Sequence, residues 1–355
     1  MIIDQIESVF VPNQVAARYQ QQAFEHFKQK RFSESVDFYS RALSLQLDNS
    51  NLYYNRGAVY TNMGDYDAAI ADFTTAISLK PVDPGLIYFH RAQIHRYRKA
   101  FDEGIQDYAE ALRLGLDLYK ALIALEQRGH MLIAQQEWTR AENNFLELLR
   151  IDEKPNYAAH VGIGYVRLCL KDYKDAIEHL THAILIEPQK GYAYYHRGLA
   201  YFENRVWKSA LSDFEEASRF NPASPAARNN CGAVRVHLSD LEGAQADFGK
   251  ALGIEANFPY AYIGLADIHF LRGEYDLALE NAQKAHELVP EVDGISATLA
   301  VTYHALGQVE RAAEIWRELM AKDEHYGDVE WVKQEHTWPE PLVEEARKLI
   351  ARLPK

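Results

Sequence analysis

The 355-residue chain has only 2 cysteines, 12 prolines and 4 methionines, and it contains no window of 18 or more apolar residues. Two cysteines exclude a disulfide-stapled secreted scaffold and fit a reducing compartment. Without a long apolar run no membrane span is expected. The start, MIIDQIESVF, lacks a basic flank and breaks its apolar run at Asp4 and Glu7, which makes it a poor secretory signal. A cytoplasmic location is the default expectation. Basic charge is scarce as well: 38 Lys and Arg stand against 51 Asp and Glu, a net of −13. A nucleic-acid binder needs a basic face to displace counterions from phosphate, so that class is set aside.

Catalytic signatures are missing too. No P-loop, dinucleotide fingerprint, nucleophile elbow or zinc-protease motif occurs, so neither an enzyme nor a bound cofactor is expected. Of the 14 histidines only His179 and His182 share a helical face at i, i+3, and no Cys or carboxylate completes a metal set. What the chain does have is tyrosine, 22 of them, in an otherwise ordinary globular composition, 48% hydrophobic and 25% charged.

It also has a period. The small residues Ala23, Gly57, Ala92, Gly129, Gly164, Gly198, Gly232, Ala266 and Ala300 are spaced by 34, 35, 37, 35, 34, 34, 34 and 34. A second small column follows twelve residues later, from Ser35 and Ala69 to Ala278 and Ala312. Bulky residues run between them at Phe32, Tyr66, Phe101, Trp138, Tyr173, Trp207, Leu241, Tyr275 and Val309, and a further column includes Tyr39, Phe73, Tyr108, Phe145, Phe214, Phe248 and Trp316. Pro81, Pro188, Pro222 and Pro290 close four of the units. Within a unit, Tyr53 to Met63 is helical in period, Gly64-Asp65 breaks it, and Tyr66 to Leu79 resumes it. Each unit therefore reads as two antiparallel helices with small residues at their closest approach. One such hairpin cannot bury its apolar face alone, so neighbours must stack.

In this pattern the chain resembles the tetratricopeptide repeat family from about Ala16 to Tyr326. Tyr192–Pro222, with Tyr194, Gly198, Tyr201, Trp207, Ala210, Phe214, Ala217 and Pro222, is the fullest match. The resemblance implies an all-α, right-handed superhelical solenoid of about nine helix-turn-helix hairpins. Residues 1–15 read as a lead-in, 16–326 as the nine units, and 327–355 as a linker and capping helix. The insertion Tyr119-Lys120-Ala121 marks a place where the stack could bend or break. Leu342, Val343, Ala346, Leu349, Ile350 and Leu353 give the last helix one apolar face. That face suits an end cap; docking into a groove is the alternative.

Arg56, Arg91, Arg128 and Arg197 each precede Asp72, Asp107, Asn144 or Asp213 by sixteen residues, which places them opposite one another across a hairpin. They read as structural bridges, with Cys231 opposite Asp247 as the exception. In the family the first helix of each unit lines the concave face and holds partner peptides. The resemblance thus implies a peptide-binding set of Tyr54, Phe89, Arg96, Tyr97, Tyr165, Tyr192, Tyr195, Phe202, Asn229, Tyr260 and Phe270, with His237, Asp267 and His304 among further polar positions. Some aromatics of such a set pack between repeats instead. The family's carboxylate clamp is lacking, since Gln20 and Phe24 stand at its first positions. Charge is uneven: residues 51–100 carry 6 basic and 4 acidic residues, while residues 251–355 carry 10 and 19. The expected function is a non-catalytic scaffold or adaptor holding a protein segment. A co-chaperone or assembly factor and a self-associating scaffold are the alternatives.

Overall fold

The repeat becomes a helix wherever a short polar side chain can start one. Asn49, Asp65, Asp83, Asp117, Asn156, Asp172, Ser224 and Asp240 each accept a backbone N–H of the turn that follows. Proline also enters first turns, at Pro84 and Pro225 behind the caps Asp83 and Ser224 and at Pro259 without one, where its missing N–H costs nothing. The computed structural model describes residues 2–336 and 338–353, with side chains from Asn13 onward, and all regular structure among them is helical.

Two compact units divide after Leu170. The first holds α1 (Ile2–Lys28), α2 (Phe32–Leu45), α3 (Ser50–Met63), α4 (Tyr66–Ser78), α5 (Pro84–Tyr97), α6 (Phe101–Leu114), α7 (Leu118–Ala134), α8 (Trp138–Ile151) and α9 (Tyr157–Cys169). The second holds α10 (Tyr173–Ile186), α11 (Gly191–Glu203), α12 (Trp207–Phe220), α13 (Pro225–His237), α14 (Leu241–Ile254), α15 (Pro259–Leu271), α16 (Tyr275–Leu288), α17 (Asp293–Ala305), α18 (Val309–Lys322), α19 (Val329–Glu335) and α20 (Glu340–Ile350). Within each unit, consecutive helices pair as hairpins and successive hairpins stack. Residues 2–15 form the front of α1. The insertion at 119–121 is taken up in the first turn of α7, and one buried cluster, including Phe89, Tyr108, Ala124, Met131 and Val166, runs past it.

Each hairpin within a unit turns on one residue in the left-handed region, and Lys171, which follows the division between the units, has the same backbone. These are Lys30, Gly64, Lys99, Gln136, Lys171, Arg205, Ser239, Gly273 and Gly307, with φ between 58 and 78°. The turn closes by paired backbone bonds, as where Gly64 N–H donates to Thr61 O and Asp65 N–H to Tyr60 O.

The small columns exist to admit phenylalanine. A Cβ at Gly57 would lie 2.9 Å from Phe73 Cε1, and one at Gly198 2.8 Å from Phe214 Cε1. Phe248 is held from two sides, 2.7 Å from a Cβ at Gly232 and 2.1 Å from one at Gly264. Gly264→Ala should therefore force Phe248 out of its site and cost about 1–3 kcal/mol. The control is Gly249→Ala, where an added Cβ meets nothing within 4 Å on an exposed helix face. That change should stabilise by about 0.5–1 kcal/mol. Urea midpoints followed by tryptophan fluorescence would show the two shifts in opposite directions.

The arginine bridges are real and do more than the spacing suggests. Arg56 grips Asp72 with two bonds of 2.8 Å, Arg91 grips Asp107 at 2.8 and 2.7 Å, and Arg197 grips Asp213 at 2.7 and 2.8 Å. Each guanidinium also donates backward to the preceding hairpin, to Ser40, Thr74 or Thr181. One side chain thus fixes three helices. Arg128 donates to Asn144 Oδ1 at 2.6 Å and reaches Glu147 at 3.2 Å. Opposite Cys231, Asp247 is served instead by Arg235, one turn along the same helix, at 2.9 Å.

The last helix caps its unit. Leu342, Val343, Ala346 and Leu349 are buried with Ala300, Val301, Trp316 and Val332, while Glu344, Arg347 and Lys348 stay at the surface. His304 Nδ1 meets Glu345 Oε1 at 2.6 Å beneath it.

Candidate functional site

The first helix of each hairpin lies on the inside of its unit's curve, where α7 touches α9, α13 touches α15, and α15 touches α17. The expected binding residues sit on these helices but divide into three groups. Tyr97, Tyr192 and Tyr260 are open to solvent, 63%, 57% and 49% exposed. Tyr54, Arg96, Tyr165, Tyr195, Phe202 and Asn229 are half-buried. Phe89 and Phe270 are core, at 3% and 5%, and so leave the contact set. Phe89 meets Tyr108 edge to face at 5.8 Å, and Phe270 meets Tyr275 at 5.1 Å, because both point between the helices of a hairpin. His304 is likewise covered, here by α20.

Local partners set the remaining side chains. The Tyr97 ring stacks on Tyr66 at 6.3 Å, with the Arg96 guanidinium 4.7 Å from its centroid. Tyr192 packs on His196 at 4.2 Å. Burial pushes His196 down to about 4. Tyr195 accepts from Asn230 Nδ2 at 3.4 Å, tying α11 to α13. The basic run of the first unit is partly consumed: Arg91 serves Asp107 and Arg98 serves Asp67.

Two cavities open on the inner helices. In the first unit, Tyr54, Ala58, Thr61, Asn62, Phe73, His90 and Gln93 line about 140 Å³. In the second, a cavity of about 180 Å³ gathers Phe202, Asn229, Ala233, Val236, His237, Phe248, Tyr260, Ile263, Gly264 and Asp267 from α11, α13, α14 and α15. His336 and Pro339, from the stretch joining α19 to α20, complete its lining. That stretch is anchored nearby, since Trp338 is buried and shares a smaller cavity with Arg205, Trp207, His237 and Lys333. Phe202, Asn229 and Tyr260 are thus brought together as the spacing implies. His336 and Pro339 were not legible, because the segment carrying them has no period. The interspersed Trp331 and Trp338 in a polar stretch were its only signal.

The electrostatics of this cavity are unusual. Asp267 keeps only a small exposed edge, and its Oδ1 is sealed from solvent without a hydrogen-bond partner. Asn229 Oδ1 is in the same condition. Each such acceptor costs about 1–3 kcal/mol of lost hydration. Burial pushes the Asp267 carboxyl up to about 7. Burial lowers His237, helped by Arg205, and also lowers His336 against the pull of Glu335 and Asp293, so both imidazoles are neutral at pH 7. Glu203, next to Phe202, is raised by burial and by Glu335. Among the described residues no group of three His, Cys, Asp or Glu could hold a metal ion, and no helix is long and apolar enough to cross a membrane.

Residues 50–82 match the family model described as tetratricopeptide repeat. A TPR repeat-containing protein of Methanocaldococcus jannaschii is 23% identical over 292 residues, covering 69% of this chain and 51% of its own length. Hsp70-Hsp90 organizing protein 2 of Arabidopsis thaliana is 24% identical over 239 residues, covering 65% and 41%. The chain therefore spans about half the length, or less, of these curated relatives. Among solved structures, PilF of Pseudomonas aeruginosa superposes with a TM-score of 0.52 at 18% identity, covering 62% of this chain and 100% of that one. PilW, a type IV pilus biogenesis factor, gives 0.51 at 20% identity, covering 57% and 93%. These likenesses are of fold.

Proposed function

Because the chain is a tetratricopeptide-repeat protein, we propose that it is a non-catalytic scaffold or adaptor whose inner helices hold a segment of a partner protein. The observation that carries this reading is that each unit leaves tyrosine open on a first helix, Tyr97 in the first unit and Tyr192 and Tyr260 in the second. Tyrosine offers a large rigid contact with a polar tip at little entropic cost, which is why it concentrates in binding hot spots. Half-buried Tyr54 in the first unit, and Tyr195 and Phe202 in the second, add aromatic surface on the same class of helix. Tyr195→Ala and Tyr260→Ala should each weaken a captured partner about 10- to 100-fold, on the order of 2 kcal/mol, with the helical circular dichroism unchanged. Undiminished capture by both variants would move the site off the inner helices.

A co-chaperone role is the second reading. It is supported by relatives named Hsp70-Hsp90 organizing protein and DnaJ homolog subfamily C member 7 homolog. Gln20 and Phe24 stand where the family's carboxylate clamp begins, so such a role would rest on side chains within the client segment. Broad capture of unfolded chains would distinguish it from a dedicated adaptor.

A further inference from the structure

The cavity on α11, α13 and α15 has two acceptor side chains with unmet demand and aromatic walls, and this combination selects its ligand. An apolar side chain would leave Asp267 and Asn229 unsatisfied. An acidic one would set two carboxylates together in a space shielded from water. A cation can donate to the outer oxygen of Asp267, its charge answers the shielded Asp267 and Asn229 acceptors, and the rings of Phe202 and Tyr260 lie in the same lining. We propose that this cavity is a subsite for a basic side chain, lysine or arginine, of the bound partner segment, held by Asp267 and Asn229 between Phe202 and Tyr260. The proposal rests on the inner-helix reading above and gives it a chemistry.

The surroundings agree in sign. Tyr260, Ile263, Gly264, Asp267, His336 and Pro339 of the cavity lining come from the acidic part of the chain, residues 251–355, with 19 acidic against 10 basic residues. Glu203 and Glu335 follow or precede cavity residues in sequence and interact with each other. Of the basic groups nearby, Lys333 is paired with Glu340 at 2.6 Å, Lys171 interacts with Glu203, and Arg205 lies on the adjoining smaller cavity. His237 and His336, which face the same space, are neutral at pH 7.

Protonation gives the subsite a pH dependence. The free carboxyl of Asp267 holds its proton up to about pH 7, and a cation needs it ionised. Affinity should then fall as pH drops below 7, approaching tenfold per unit. Charging of His237 and His336 at lower pH works in the same direction.

The test uses the full chain and two kinds of probe. The first is a set of side-chain mimics: n-butylguanidinium and n-butylammonium, with n-butylurea and pentanoate as neutral and anionic controls, titrated by NMR at pH 8 and pH 6. The expected result is that only the cations perturb residues around Asp267, at least tenfold more weakly at pH 6, and that Asp267→Asn abolishes the effect. The second is a displayed random peptide library selected on the chain at pH 8. Recovered peptides should share a Lys or Arg at one position and lose at least tenfold in affinity to Asp267→Asn. Peptides that bind, are lost with Tyr195→Ala, and show neither a basic preference nor sensitivity to Asp267→Asn would overturn the subsite and leave the inner-helix reading standing. Cations that bind at Asp267 while no peptide does would overturn the inner-helix reading and the subsite's assignment to a partner segment. Equal response to n-butylurea and n-butylguanidinium would overturn the selectivity for charge.

Discussion

Asp213→Ala should cost about 3–5 kcal/mol. Asp213 is 4% exposed and holds both forks of Arg197, whose third donor is spent on Thr181. Removing the carboxylate leaves a buried guanidinium with one hydroxyl for company. The loss is therefore mainly the cost of an unpaired charge and exceeds the worth of the pair itself. That distinction is measurable. Replacing both partners at once, Arg197→Met with Asp213→Leu, should recover most of the stability, because an apolar pair of similar volume pays no desolvation. Urea unfolding of the two variants, followed by fluorescence, checks it; Trp207, Trp316, Trp331 and Trp338 report the second unit while Trp138 alone lies in the first. Equal losses in both variants would mean that the unpaired charge is not the source of the cost.

Asp267→Asn should act in the opposite sense, stabilising the second unit at pH 8 by about 2–4 kcal/mol. The carboxyl has a folded value of about 7 against an ordinary 3.8, so the folded state holds a proton that the unfolded chain has lost. Between those values stability falls as pH rises, and above 7 the full penalty of about 4 kcal/mol is in force. An amide carries no such penalty. At pH 4 the two proteins should unfold together, and the gap should open as pH rises to 8. A variant that gains stability and loses the proposed ligand would mark a carboxylate kept for binding at the expense of the fold. A gap that is constant with pH would deny that the carboxyl titrates in this range.

The hairpins were legible because a close helix crossing permits few side chains, and that constraint recurs at every Gly57- or Phe73-type position. The Arg–Asp bridges were legible for a similar reason, two facing positions sixteen apart. Asp247 shows the limit: its arginine comes from Arg235, four residues past the expected place, and a side chain of that length reaches it as well. Exposure was harder to read. Phe89 and Phe270 share helices with open tyrosines, and only the neighbouring ring decides which of them faces solvent. Harder still was the stretch from α19 to α20, whose position on the inner face depends on residues more than a hundred places earlier in the chain, such as Phe202 and Asn229.

The left-handed turn residues carry a consequence for how such a chain can change over time. Three of the nine are glycine and six are Lys, Gln, Arg or Ser, which pay about 1 kcal/mol each for that backbone. Apart from Arg205, which lines the smaller cavity beside Trp207 and His237, the turn residues stand outside the Phe-filled crossings and the cavities. The chain thus holds nine such settings, each reset by a single exchange to or from glycine, and at all but Arg205 the exchange changes the cost of a turn while the cavity linings stay the same.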